Sequence, residues 1–118
     1  MPQHIPAPTT IPVPGGKVID EYVGRVNSGT EALSVARMTA PGGWSEPPQT
    51  PAFDEVTLVL RGTVRIEHDG GTLDVRAGEA VLTRAGERIR YTTPDFEGAD
   101  YVAICVPAFS PDTVHRED

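Results

Sequence analysis

The stretch Phe53 to Val75, FDEVTLVLRGTVRIEHDGGTLDV, alternates Val56, Leu58 and Leu60 with Glu55, Thr57 and Val59 before it reaches Gly62. A period of two puts alternate side chains on opposite faces of a strand, and both sets here contain β-formers. Gly62 is expected to break this first strand. Thr63 to Glu67 and Thr72 to Val75 then flank Asp69-Gly70-Gly71, residues that tolerate positive φ, so the spacing predicts a hairpin.

Working outward, Lys17 to Asn27 and Glu31 to Ala40 read as two strands, separated by Asn27-Ser28-Gly29 and ended by Pro41-Gly42-Gly43. On the C-terminal side, strands are expected over Glu79 to Thr83, Arg88 to Thr93 and Tyr101 to Val106. No segment carries a helical stripe, and short strands at near-regular spacing predict an all-β sandwich or closed barrel. The chain's 12 glycines and 12 prolines in 118 residues point the same way, because they favour short elements joined by frequent turns. That length holds one domain around one core. We divide it into a Pro-rich extended arm (1–16), a barrel domain (17–110) and a C-terminal tail (111–118). Ile5, Ile11 and Val13 are the residues that would anchor the arm if it packs on a sheet; otherwise it is disordered.

A net charge of -7 repels nucleic-acid backbones and anionic lipid headgroups, which argues against both as partners and leaves a small molecule. Prolines interrupt the first sixteen residues and no long apolar run occurs, so neither an export signal nor a spanning helix is expected; the cytoplasm is the expected location. The lone Cys105 sits between Ile104 and Val106, a buried strand position rather than a reactive thiol.

Two spaced patterns carry a resemblance. Gly43, Gln49, Pro51, Glu55 and Gly62 are similar to the first motif of the cupin superfamily, which runs Gly, five residues, His-x-His, three or four residues, Glu, six residues, Gly. Gly78, Arg84, Gly86, Ile89 and Thr93 resemble the second, which runs Gly, five residues, Pro-x-Gly, two residues, His, three residues, Asn. The resemblance covers most of the chain after residue 40 and implies a single conical β-barrel of the jelly-roll type, mainly antiparallel, and a homodimer. The arm could then add a strand to a partner's sheet. Every glycine and the glutamate stand in place, whereas the three histidine positions hold Gln49, Pro51 and Ile89. Relatives of an ethanolamine-utilisation protein likewise lack the metal-binding histidines, and this chain looks like that subgroup.

A catalytic metal needs about three protein ligands, and neither proline nor isoleucine can coordinate. No cofactor is therefore expected; the alternative is a divalent metal on the unusual set Gln49, Glu55, Glu46 and His115. In the family frame Glu55, Thr57, Ile89 and Tyr91 face inward, so burial should raise the Glu55 carboxyl's pKa and suit it to proton transfer. Glu55, Tyr91 and Glu46 are the candidate catalytic groups, and Gln49, Trp44, Phe53, Thr57 and Ile89 the candidate substrate contacts. A bland reading stands beside each: Glu55 as a structural carboxylate, Gln49 as a loop tie, Tyr91 as core with its hydroxyl on a polar partner, Trp44 as a barrel plug, Glu46 as a solvated acid. Arg88 and Arg90 should face outward. Lys17, the only lysine, precedes the motifs, which argues against imine chemistry. Three functions follow: a metal-independent enzyme of proton transfer (isomerisation, epimerisation, dehydration or cyclisation) on a polar metabolite, a non-enzymatic ligand-binding or sensor module, and a metal enzyme with an atypical ligand set.

Overall fold

In the computed structural model, which describes residues 1–117, the elements run β1 (Thr9–Ile11), β2 (Val18–Val23), β3 (Ser34–Ala40), β4 (Trp44–Ser45), β5 (Asp54–His68), β6 (Gly71–Arg76), β7 (Ala80–Thr83), β8 (Ile89–Thr93), β9 (Ala99–Val106) and a single helical turn, α1 (Pro111–Val114). Every strand pairing is antiparallel. One sheet runs β1-β2-β3-β9-β5-β7 and the other β6-β5-β8-β4, so β5 belongs to both. The two curl around a common interior, as the jelly-roll expectation requires.

The expected break at Gly62 does not occur: the glycine bends β5 instead. The strand runs on through fifteen residues, pairing with β7 and β9 before the bend and with β6 and β8 after it. Gly62 holds φ at 76°, and a Cβ there would collide with the carbonyl of Gly98. A register shift between Val59 and Arg61 sharpens the turn from one sheet to the other. Gly43, Gly78 and Gly86, the other motif glycines, also have positive φ.

Two strands are shorter than the sequence suggests, because β2 stops at Val23 and β3 starts at Ser34. The buried Glu21 carboxylate explains the shortening: it accepts the backbone N–H groups of Val26 (2.9 Å) and Asn27 (3.0 Å), organising residues 24–30 as a loop. The hairpin at Asp69-Gly70-Gly71 forms between β5 and β6 as predicted. The arm pairs through β1 with its own chain's β2, Ile11 opposite Ile19.

Along the inner face of β5, polar residues lie between two apolar clusters. Phe53 packs with Cys105, Val114 and Phe109; Val59, Val64 and Ile66 pack with Ile89, Tyr91 and Tyr101. Glu55 and Thr57 sit between them, both buried. Among the described residues no helix is long and apolar enough to cross a membrane.

A carboxyl-lined cavity as candidate functional site

β5 sends Glu55 inward between Thr83 of β7 and Cys105 of β9, its neighbours across the two ladders. Thr57, next on the same face, donates its hydroxyl to Glu55 Oε2 at 3.4 Å. Thr83 hydrogen-bonds the Tyr91 hydroxyl at 3.1 Å and reaches the Glu55 carbonyl at 3.4 Å, tying β5, β7 and β8 together beneath the carboxyl. Burial raises the Glu55 pKa to about 7, the Glu46 charge pushes the same way, and Lys17 opposes both. Desolvation also keeps the Tyr91 phenol and the Cys105 thiol protonated at neutral pH.

Glu55 lines a small, partly enclosed cavity together with Glu46, Gln49, Phe53 and Tyr91. Five of the sequence-predicted residues therefore converge. The Glu46 side chain is only 10% exposed and pairs with Arg116 at 3.4 Å, so it is not a solvated surface acid. Desolvation raises its pKa, against the pull of Lys17 and Arg116. Gln49 gives its amide oxygen to Arg116 Nε at 3.3 Å, the loop-tying role foreseen as its alternative.

The other candidates lie elsewhere. Thr57 is behind Glu55 rather than on the cavity wall, Ile89 is in the apolar core, and Trp44 joins that core while one side borders a shallow groove beside the mouth. His115 caps α1 in the left-handed conformation, exposed and off the cavity wall, so the set Gln49, Glu55, Glu46 and His115 does not assemble. Arg88 and Arg90 point outward as expected, to Glu117 and Glu67.

Among the wall residues that sequence reasoning missed are Lys17, Tyr101 and Arg116. Setting Lys17 aside because it precedes the motifs was an error of topology, since pairing of β2 with β3 brings the start of β2 back over the mouth. Its Nζ lies 4.3 Å from the Trp44 ring centroid. A single lysine in a chain of 118 residues, adjoining a strand, was the available signal. Nothing local marked Arg116, which arrives only because the chain after α1 returns along Thr50 and Ala52.

The positions that hold metal ligands in the resembling family carry Gln49, Pro51, Glu55 and Ile89. Two of these side chains have no donor atom, and among the described residues no three His, Cys, Asp or Glu side chains cluster as a ligand set. The residues present do not fit a metal centre of that kind.

Comparison with known proteins agrees with the topology. The cupin domain model matches residues 36–105. A protein described as endoribonuclease YbeY, from Myxococcus xanthus, is 45% identical over 107 residues, which cover 91% of this chain and 36% of that protein. Acetate kinase EutQ from Salmonella typhimurium is 34% identical over 56 residues, 48% of this chain and 24% of its own length. The chain thus spans about a third and a quarter of these two curated relatives. Oxalate decarboxylase from Bacillus subtilis superposes with a TM-score of 0.78 at 18% identity, covering 92% of this chain and 30% of that one, a likeness of fold alone. With its β5 bend, its motif glycines in place and its central residues matched, the chain belongs to the cupin family and resembles the EutQ-like subgroup.

Proposed function

We propose that this cupin binds a small polar metabolite and moves a proton within it through Glu55, without a metal, as in isomerisation, epimerisation, dehydration or cyclisation. The observation that carries the reading is the Glu55 carboxyl itself, buried on the wall of an open cavity with a pKa of about 7. At neutral pH it is present in both protonation states, the condition under which one group serves as base and then as acid. Thr57 orients one oxygen, and the Thr83–Tyr91 pair fixes the wall beside it. The donor-poor set at the family's ligand positions favours proton transfer over Lewis-acid chemistry. The test is a thermal-shift screen of polar metabolites, with turnover of each hit followed by NMR. Glu55→Gln should lower kcat by about 10²–10⁴-fold; full activity of that variant on an identified substrate would remove Glu55 from the mechanism.

The homodimer expected from the resemblance belongs to the same reading, and an exposed leucine cluster on the sheet holding β7 and β9 supports it. The sheet holding β6 and β8 presents ion pairs outward, Arg65 to Asp74 and Arg90 to Glu67. The other sheet presents Leu58, Leu60 and Leu82, each more than a third exposed, with Val56 and Ile104 paired beside them. An apolar sheet face of this kind suits a second copy of the chain. Light scattering should give a dimer mass, and Leu58→Glu should give a monomer.

A further inference from the structure

We infer that the cavity receives a carboxylate at Lys17 and Tyr101, so that its substrate class is a small monocarboxylic acid with an apolar body. The inference rests on the cavity being the site proposed above and narrows what it takes.

Tyr101, on β9, is 2% exposed and lines the cavity, yet its hydroxyl has no hydrogen-bond partner among the described residues. A buried polar atom left unpaired costs about 1–3 kcal/mol, so native proteins seldom keep one without a use. Tyr91 shows the contrast, since its hydroxyl is committed to Thr83. Burial holds the Tyr101 phenol well above its ordinary pKa, so it carries a proton to donate.

The second group is Lys17. Its ammonium lies 5.5 Å from the Tyr101 ring centroid and 4.3 Å from that of Trp44, and it enters none of the ion pairs among the described residues. The two rings fix the head group of a long side chain at the wall; burial lowers the Lys17 pKa, while the rings and the Glu46 and Glu55 charges favour its charged form. Arg116, the other cation on the wall, is already engaged by Glu46 and Gln49. A cation outside any ion pair among the described residues, felt by Glu46 and Glu55 only through space, and an unpartnered O–H donor therefore line the same cavity. The ammonium can only donate and the phenol has a proton to donate, so one acceptor serves both, and a negative one serves them best.

Charge selects among anions. With Glu21, Glu46 and Glu55 on the same wall and Lys17 the one cation there outside an ion pair among the described residues, a single negative charge is the most the cavity can match, and a dianionic phosphate is not. Ile19, Ala36, Met38, Ala103 and Phe109 make an apolar stretch of the wall that takes a hydrocarbon body.

The experiment is calorimetric titration of the full chain with sodium carboxylates of about three to six carbons, each paired with its own primary amide, which keeps the shape and loses the charge. The acids should bind about tenfold or more tightly than their amides, and Tyr101→Phe and Lys17→Met should each weaken the acid by about tenfold. Tyr101→Phe removes an unpaired hydroxyl, so it should fold at least as well as the wild type. Amides binding as well as acids, no acid binding, or both variants binding like wild type would overturn the inference. A carboxylate that binds through these two residues but is never turned over upholds the anion site and removes the proton-transfer reading; a neutral metabolite turned over through Glu55 does the reverse.

Discussion

Gln49 and Ile89 face each other across an isolated antiparallel bridge and exchange both backbone hydrogen bonds, at 2.8 and 2.9 Å. Two positions at which related barrels place imidazoles are thus held at one rung, where one side chain is hydrocarbon and the other gives its oxygen to Arg116. Two of the four family ligand positions, Pro51 and Ile89, thus carry no donor side chain, and the Gln49 oxygen already accepts from Arg116. Protein made without a histidine tag should therefore carry far less than one transition metal per chain by inductively coupled plasma mass spectrometry. Near-stoichiometric zinc, iron, nickel or manganese would overturn the donor argument.

Glu55 should leave a signature in stability against pH. Its folded pKa of about 7 stands above the ordinary 4.5, so the native state binds more protons than the unfolded chain between those values. Stability is then full below about pH 4.5 and declines as pH rises through 7, by roughly 3 kcal/mol at about 1.4 kcal/mol per unit. Glu55→Gln removes that component, so the variant should be more stable than wild type at pH 8 and comparable near pH 4.5. Urea titrations at both pH values check this. Parallel pH profiles for the two proteins would show that Glu55 is not the responsible group.

Gly62→Ala tests the bend in β5. An L side chain in the left-handed region costs about 1–2 kcal/mol, and here the new Cβ also meets the Gly98 carbonyl. Gly29, at φ 71° with open space around it, supplies the conformational cost alone. Gly29→Ala should lower stability by about 1 kcal/mol and Gly62→Ala by several, or prevent folding. Equal losses would mean that the close approach of Gly98 is unimportant.

What the sequence disclosed depended on how local the governing physics is. Alternation along β5, the Asp69-Gly70-Gly71 turn and the motif glycines are fixed within a few residues, and these elements read through. Gly62 was misjudged because a glycine at positive φ ends one strand and bends another according to what its next partner is; here β6 and β8 continue the ladder. Glu55 was legible because the strand's period groups it with Thr57 on one face and the cupin resemblance makes that face the inward one. Lys17 and Tyr101 were not, because their meeting needs β2 and β9 brought together through β3, a relation no local pattern carries.

Arg116 and Val114 separate the tail's two roles. Val114 is buried against Phe53 and Cys105, and its segment is stitched to the barrel by Ala52 N–H to the Thr113 carbonyl at 2.8 Å. Arg116 is 37% exposed and spends its charge on Glu46. Val114→Ala should cost about 2 kcal/mol by urea denaturation through lost apolar burial and the cavity left behind. Arg116→Ala should change the midpoint little, since a half-exposed ion pair contributes about 1 kcal/mol or less. It removes, however, one of the two cations that draw the Glu46 pKa down, so the Glu46 carboxyl resonance should titrate at higher pH. If Arg116→Ala destabilises the fold as much as Val114→Ala and leaves the Glu46 titration in place, the tail is a structural strap and contributes nothing to the electrostatics of the cavity.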